Sequence, residues 1–183
     1  MERLQPVDLK HLASREREEL EALPPLKLIR TMAHAPAVLR GFLGHGAAIL
    51  YETRLDPRWR ELVILAVAHH LKSDYEIHEH ERIGKEVGCE PEKIAALRDA
   101  DPERTLAPLS PEEAALVRFA RDTLEAGRPS DDCYRAAAAI LSEPELVELT
   151  ACIAFYQAAA LFLATFDITP EADDFDGGVP GRR

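Results

Sequence analysis

Apolar residues recur at helical spacing along most of the chain, and no stretch of useful length shows the two-residue alternation typical of a β-strand. Leu39, Phe42 and Leu43, for example, lie on one stripe of a helix that begins at Pro36. The segment 57–71 is apolar on nearly all sides, which is typical of a buried helix. The pattern therefore predicts an all-α fold.

Helix caps and breakers set the boundaries of the predicted helices. Serine and aspartate favour the N-cap position, proline favours the first helical turn, and glycine favours the position after the last turn. The predicted helices span about residues 14–23, 26–33, 36–51, 57–71, 73–87, 91–98, 110–126, 130–141 and 142–166. Residues 1–13 are predicted to be irregular or weakly helical. Asp99–Pro108, with two prolines and mixed charge, is the most linker-like stretch.

A short sequence echo points to a duplicated helical unit. Glu61-Leu-Val-x-Leu65 matches Glu145-Leu-Val-x-Leu149 at an offset of 84 residues, and an acidic residue and a proline lie just upstream of each. If the echo reflects a repeat, it relates the two most buried helices to each other in the core.

The length of the chain, 183 residues, is typical of one domain with a substantial core. We predict an N-terminal helical arm over residues 1–35, a helical domain over residues 36–168 and a mobile polar tail over residues 169–183. The net charge of −11 argues against binding to nucleic acid or to an anionic membrane surface, because both attract basic patches.

Two further features bear on the location of the protein. The apolar run 145–166 is long enough to raise the question of a membrane span, but it contains Glu145, Glu148 and Gln157 and lacks basic flanks. A buried core helix is therefore favoured.

The first residues do not resemble a signal peptide, and three widely spaced cysteines support neither a disulfide framework nor a zinc site. We expect a cytoplasmic, reducing setting.

Proton-exchanging groups are concentrated between Trp59 and His80. This stretch contains four of the seven histidines of the chain and adjoins its longest early apolar segment. Such a combination is typical of a buried acid–base site. The candidate side chains are those of Glu61, His69, His70, Ser73, Tyr75, Glu76, His78, Glu79 and His80.

Helical spacing narrows this cluster. Glu76 and His80 are four residues apart and share one helix face, and Glu61 lies on the preceding helix. Because Glu61 lies 12 residues before Ser73 and His80 only 7 after it, the two meet only if the helices cross at an angle or have offset ends. A buried glutamate that meets the histidine holds one imidazole nitrogen and leaves the other to take or give a proton. Tyr75 supplies a further hydroxyl donor.

A purely structural interpretation competes with this one. Ser73-Asp-Tyr-Glu76 is also a helix capping box, and Glu61 near a helix start can complement the helix dipole. The protein is then a non-catalytic oligomeric scaffold. A metal site formed by Glu61, Glu76 and His80 is another alternative, which the absence of an H-E-x-x-H motif disfavours.

A thiol site is the remaining alternative. Cys89 precedes the helix start at Pro91, where the helix dipole lowers the pKa of a thiol, whereas Glu90 and Glu92 oppose that effect. Cys133 and Cys152 lie in helical patterns and are most simply small buried residues.

The sequence R-x-R-E-L-V-I-L-A-V-A, followed by S-D-Y-E-I-H-E-H-E-R-I-G-K-E-V-G, resembles the carboxymuconolactone decarboxylase family, which includes the alkyl hydroperoxidase D-like (AhpD-like) proteins. The resemblance covers about Ala33–Leu97, and E-L-V-E-L-T-A-C-I-A-F-Y in the last helix resembles the closing segment of the family. It implies an AhpD-like helical bundle with a repeated helical unit, assembly into trimers or hexamers, and no organic cofactor.

The resemblance also implies roles for particular residues. In the hydroperoxidase branch a glutamate precedes the motif C-x-H-C-x-x-x-H. Glu61 matches that glutamate and His80 the final histidine, whereas Ser73, Tyr75 and Glu76 take the positions of the first cysteine, the middle histidine and the second cysteine. Without the two thiols a dithiol peroxidase cycle is not possible at this site. The pattern Y-E-x-x-x-H instead resembles the branch of the lactone decarboxylases.

The expected function is therefore cofactor-free, decarboxylase-like proton transfer on a small organic acid or lactone. His80 is the expected proton donor, Glu61 or Glu76 its partner, and Tyr75 an orienting group. The sequence leaves open whether the nearby Arg58 and Arg60 face the site or the surface. The alternatives are a peroxiredoxin-type antioxidant that uses another cysteine, and the non-catalytic scaffold.

Overall fold

The structure, a computed structural model, describes residues 2–12, 14–99 and 101–171. These residues form helices without a β-strand, which confirms the predicted all-α fold. The α-helices are α1 (Ser14–Glu21), α2 (Lys27–Met32), α3 (Pro36–Ala47), α4 (Pro57–His70), α5 (Asp74–Val87), α6 (Pro91–Ala96), α7 (Pro102–Leu106), α8 (Pro111–Ala126), α9 (Asp131–Ala138) and α10 (Glu143–Phe166). A 3₁₀ helix covers Leu9–His11, and a π-helical turn covers Ala48–Glu52.

Most helix ends lie where the caps predict them. The Ser110 hydroxyl accepts a hydrogen bond from the Glu113 N–H at 3.2 Å, and the Glu113 carboxylate accepts one from the Ser110 N–H at 2.7 Å. These two bonds complete the capping box of α8. Asp56 caps α4 by accepting from the Arg58 N–H at 2.8 Å. Gly88 ends α5 with φ of +93°, a left-handed conformation that favours glycine.

Some local predictions differ from the structure. The linker-like stretch contains α7, because Pro102 begins a helical turn that Asp101 caps by accepting from the Glu103 N–H at 3.0 Å. Helix α3 continues into the π-helical turn at Ala48–Glu52. Helix α9 ends at Ala138, short of its predicted end.

Helix α4 lies at the centre of the fold. Every residue from Leu62 to Ala68 is at most 1% exposed, as expected of a helix that is apolar on all sides. Helices α5, α8 and α10 pack around it. Arg60 and Glu61, in the first half of α4, are also buried, so this helix brings two charged side chains into the core.

Helix α10 combines a buried face with an exposed apolar face. Cys152, Phe155 and Tyr156 contribute to the core, whereas Val147 and Leu161 are each 69% exposed. Within the described residues, α10 is the one helix that is long and apolar enough to cross a membrane, a test that core helices of soluble proteins also pass. Its buried face makes it part of the packed core.

The two helices of the sequence echo contact each other in the core, but their matched glutamates differ. Glu61 of α4 is fully buried, whereas Glu145 accepts a hydrogen bond from the Ser142 N–H at 2.8 Å at the exposed start of α10. The two matched sequences therefore lie on neighbouring core helices, but only the glutamate of α4 is buried.

The N-terminal arm packs onto the rest of the fold. Leu20, Leu28 and Ile29 join a core cluster that includes Tyr75 and Leu163. Leu28 and Ile29 of this arm also form part of the wall of a cavity that Tyr75 of α5 lines.

The first residues of the predicted tail are also packed. Lys27 Nζ donates to the carbonyl oxygens of Thr169 and Pro170 at 3.2 and 3.0 Å, and Glu171 is only 9% exposed. The remainder of the predicted mobile tail, residues 172–183, lies outside the described residues.

Candidate active site

Close packing of α4 and α5 brings the central predicted residues together. A Cβ atom at Gly84 would lie 3.8 Å from Cβ of Glu61 on α4 and 3.3 Å from Cδ1 of Ile94 on α6, so there is little room for a side chain where α5 packs against these two helices. Gly84 lies one helical turn after His80 on the same face of α5. The side chain of Glu61 spans this turn and reaches the imidazole.

His80 lies between two carboxylates. Its Nδ1 is 2.6 Å from Oε2 of Glu61, and its Nε2 is 3.4 Å from Oε2 of Glu76. Glu61 is 0%, His80 4% and Glu76 5% exposed. The structure thus places three of the four predicted site residues in one buried chain of contacts.

Arg60 completes this group from the side opposite His80. Its Nε and Nη2 atoms are each 3.0 Å from Oε1 of Glu61, and its Nη1 donates to the Leu50 carbonyl oxygen at 2.8 Å. The Leu50 carbonyl belongs to the π-helical turn, so an irregular backbone segment fixes the guanidinium. Arg58, in contrast, pairs with Asp56 at the surface.

The charges of the group balance, because Arg60 and a protonated His80 face Glu61 and Glu76. Burial alone would lower the pKa of His80, but the two carboxylates, above all Glu61, outweigh it and raise the pKa to about 9. At neutral pH the ring is therefore an imidazolium with a carboxylate at each nitrogen.

The capping-box interpretation of Ser73 and Glu76 is wrong. The Ser73 side chain makes no capping hydrogen bond, and its buried hydroxyl oxygen has no hydrogen-bond partner. Glu76 instead contacts His80 one turn further along α5. The carboxylate is therefore free to act on the imidazole, which a capping role would prevent.

Tyr75 lies beside the group without joining the chain of contacts around His80. Its hydroxyl donates to Oε1 of Glu171 at 3.3 Å, and the same oxygen accepts from the Lys27 N–H at 2.6 Å. Burial raises the pKa values of both Tyr75 and Glu171. The C-terminal segment thus holds the phenol, an arrangement that the sequence did not predict.

A cavity of about 380 Å³ opens beside His80 and Glu76. Tyr75 and Tyr156 also line it, and most of the remaining wall is apolar. The ring of Tyr156 meets that of His80 edge-on, with centroids 4.8 Å apart and an interplanar angle of 88°. Tyr156 is a site residue that the sequence missed, since it lies in an apolar helix more than 70 residues from the cluster.

The other groups of the sequence cluster lie elsewhere. His78 is exposed, and His69 lines a separate surface groove with His70. Glu79 borders the cavity and pairs with Arg82. Of the candidate side chains on α5, only those of Glu76 and His80 join Arg60 and Glu61 of α4 in the buried group.

The thiols and the metal alternative gain no support from this geometry. Burial raises the pKa of Cys89 to about 12 and also raises that of Cys152, which opposes thiolate formation. Cys133 lies in the groove near His69, away from the cavity. Within the described part of the chain, no group of three or more potential ligands is arranged to hold a metal ion.

Residues 36–122 match the sequence profile of the carboxymuconolactone decarboxylase family. This range contains Arg60, Glu61, Tyr75, Glu76 and His80. No curated protein sequence matches the chain significantly.

Several crystal structures have a similar fold. An uncharacterized peroxidase-related protein from Ralstonia eutropha JMP134, with an alkylhydroperoxidase AhpD core, has a TM-score of 0.73 and 18% identity over 93% of this chain and 92% of that chain. An uncharacterized peroxidase-related protein from Silicibacter sp. TM1040 gives 0.74 and 14% identity over 92% and 93%. A variant of the debrominase Bmp8 in complex with 2,3,4-tribromopyrrole gives 0.71 and 18% identity over 92% and 91%. These similarities confirm the AhpD-like helical fold.

Proposed function

This chain belongs to the carboxymuconolactone decarboxylase family, and we propose that it is a cofactor-free enzyme that transfers protons during decarboxylase-like chemistry on a small organic acid or lactone. One observation carries the proposal. The buried imidazole of His80 is held between two carboxylates at the wall of a cavity large enough for a small organic molecule.

The division of contacts at His80 gives its two nitrogens different roles. Glu61, fixed by Arg60, accepts the short hydrogen bond from Nδ1 and orients the ring. Nε2 makes the longer contact with Glu76, and both of these side chains line the cavity. The Nε2 proton is therefore the one that a bound substrate can reach.

The proposed chemical step needs a proton donor and no redox group. When the bond to the departing carboxylate breaks, carbon dioxide leaves and the electron pair stays on the conjugated substrate. His80 Nε2–H then donates its proton to the distal carbon, which forms the new C–H bond and leaves a neutral imidazole. Glu76 then returns a proton from solvent to Nε2, and Glu61 keeps the Nδ1 proton in place throughout.

Tyr75 has an orienting role in this scheme. It lines the cavity, and Glu171 fixes the direction of its hydroxyl. Since burial raises the pKa of Tyr75, the phenol stays protonated and offers a neutral hydrogen-bonding surface to the substrate.

The thiol-based alternative is a peroxidase that uses Cys89, Cys133 or Cys152. Burial of Cys89 and Cys152 argues against it, because the reactive form is the thiolate. Replacement of all three cysteines by serine distinguishes the two mechanisms. If the wild-type protein turns over peroxide with a thiol reductant and the triple variant does not, the peroxidase mechanism is favoured.

We also propose a homo-oligomer, a trimer or a hexamer, in the cytoplasm. The exposed apolar face of α10 supports self-association, since exposed patches of this kind are typical of interfaces. Three free cysteines are compatible with a reducing compartment.

The experiment that tests proton transfer compares two histidines of α5. Wild-type protein is incubated in D₂O with a panel of lactones and β-keto acids, and carbon dioxide release and deuterium incorporation are followed by gas analysis and ¹H NMR. His80→Ala should lower turnover by roughly 100-fold or more, because it removes the donor. His78→Ala, which changes an exposed histidine two positions away, should leave turnover unchanged.

The non-catalytic scaffold predicts a different result. In that case His80→Ala lowers only the thermal stability, and wild-type protein turns over no member of the panel. Equal turnover by wild-type and His80→Ala proteins would exclude His80 as the donor.

A further inference from the structure

The cavity beside His80 is lined by a continuous series of aromatic rings. Phe42 and Phe155 have centroids 4.5 Å apart, and Phe155 meets Tyr156 edge-on at 5.2 Å. Tyr156 in turn contacts His80 at 4.8 Å. Planar apolar compounds pack well against walls of this kind, because ring faces and edges attract each other.

Gly46 makes room for this series. A Cβ atom at this position would lie 2.9 Å from Cζ of Phe155, so any larger residue there would force the ring to move. Both residues line the cavity. The width of the space beside the aromatic rings therefore depends on a position without a side chain.

The positive charges at the cavity wall are already paired. His80 lies between Glu61 and Glu76, and Arg82 donates to Glu79 at 3.0 Å and to Glu86 at 2.9 Å. A ligand carboxylate entering the cavity would lose its hydration and meet Glu76 and Glu79 at the wall, with its cationic partners already occupied.

We propose that the cavity selects an uncharged, planar, mainly apolar ring compound that carries a hydrogen-bond donor, in preference to an anionic acid. The donor group faces the carboxylate of Glu76, and the ring lies against Phe42, Phe155 and Tyr156. This inference concerns the same cavity but goes beyond the proposed function: the decarboxylation step needs a substrate with a carboxylate, whereas the ligand class preferred here is uncharged, such as a neutral lactone or a hydroxylated ring.

The test compares binding of two probes with the same ring system, 2-naphthol and 2-naphthoate, by isothermal titration calorimetry at pH 7. 2-Naphthol is uncharged at this pH, whereas 2-naphthoate is an anion. Wild-type protein should bind 2-naphthol roughly tenfold or more tightly than 2-naphthoate, because the anion gains no free cation in the cavity.

Two pairs of variants locate the binding and its charge preference. Ile83→Trp fills the cavity and should abolish binding of 2-naphthol, whereas Val38→Trp adds the same bulk at a 60% exposed position and should have no effect. Glu79→Gln releases part of the Arg82 guanidinium and should strengthen 2-naphthoate binding several-fold relative to 2-naphthol. Glu92→Gln removes an exposed carboxylate on α6 and should change neither affinity.

Three results would overturn the inference: 2-naphthoate binding as tightly as 2-naphthol, undiminished binding in Ile83→Trp, or no saturable binding of 2-naphthol up to its solubility limit. Because the measurement requires no turnover, it is independent of the fate of the proton-transfer proposal. An inactive protein that retains the preference for 2-naphthol would refute the enzyme and leave the binding preference standing.

Discussion

His80 controls the charge of the site, and its pKa gives a direct prediction. Pairing with Glu61 and Glu76 raises this pKa from an ordinary value of 6.5 to about 9. Since the folded-state pKa lies above the unfolded value, the stabilisation is fully present below about pH 6.5 and is lost as pH rises through about 9. The free energy of unfolding should fall by roughly 3 kcal/mol over this window. Urea titrations at several pH values and NMR titration of the ring measure the two effects.

His80→Gln provides the control for this prediction, because it should remove the decrease in stability between pH 6.5 and 9. His78→Gln should retain the decrease. An NMR midpoint for His80 near 6.5, or an unchanged pH dependence in His80→Gln, would show that the carboxylates do not hold the proton. If His80 is the acid, turnover should stay constant through neutral pH and decline above about pH 9.

At the scale of single residues, the sequence predicted the members of the site that share one helix or one family motif. The four-residue spacing of Glu76 and His80 placed them on one face, and Glu61 was a candidate from the same cluster, which the resemblance then matched to the glutamate of the family. Arg60 and Glu171 could not be assigned, because the directions of their side chains depend on tertiary packing. Arg60 is anchored by the π-helical turn, and Glu171 reaches Tyr75 from the far end of the described chain.

At the scale of helices, the contact of α4 with α5 depends on Gly84. Gly84→Leu should push α5 away from α4 and α6 and destabilise the protein by about 1–3 kcal/mol, because a side chain there meets Ile94 of α6 and Glu61 of α4. The wider spacing should weaken the contact between His80 and Glu61, lower the pKa of His80 and reduce turnover. Thermal unfolding and NMR titration of His80 measure these changes.

Gly41→Leu is the matched control on α3. A Cβ atom at Gly41 meets nothing within 4 Å, so the same substitution there adds bulk without a clash. Gly41→Leu should leave the pKa of His80 unchanged and alter stability little. A Gly84→Leu protein with unchanged stability and an unchanged pKa of His80 would contradict the assigned role of Gly84.

Helix positions were predictable wherever the end of a helix is encoded by its own local residues. Ser110 with Glu113 predicted the start of α8, and Gly88 predicted the end of α5, because these caps act within a few residues. The same local pattern at Ser73 misled, since Glu76 forms a contact with His80 in place of the cap. A sequence pattern cannot show which of two competing partners a side chain takes.

At the scale of the whole molecule, the apolar content of α10 has two explanations. One face builds the core with α4, and the other is exposed. The sequence predicted a buried core helix from composition, which cannot separate the two faces when both are apolar. The residues of α10 that lie on the exposed face could be identified only once the neighbours of this helix were known.

The exposed face of α10 gives the final prediction, which concerns assembly. Its exposed positions between Val147 and Leu161 include the apolar Ala154 and Ala158 and the polar Thr150 and Gln157, and no charged residue occurs between Glu148 and Asp167. If this face joins copies of the chain, Leu161→Lys should shift the protein from oligomer to monomer, because it places an unpaired charge in an apolar contact. Size-exclusion chromatography with light scattering measures the mass.

Val38→Lys is the matched control for assembly, because Val38 is also an exposed apolar residue but lies on α3. This variant should keep the oligomeric mass of the wild-type protein. A monomeric wild-type protein would refute the proposed oligomer, and an oligomer that survives Leu161→Lys would place the interface on another surface. Because α10 also supplies Phe155 and Tyr156 to the cavity, loss of the oligomer should reduce binding of 2-naphthol if contact between copies holds this helix in position.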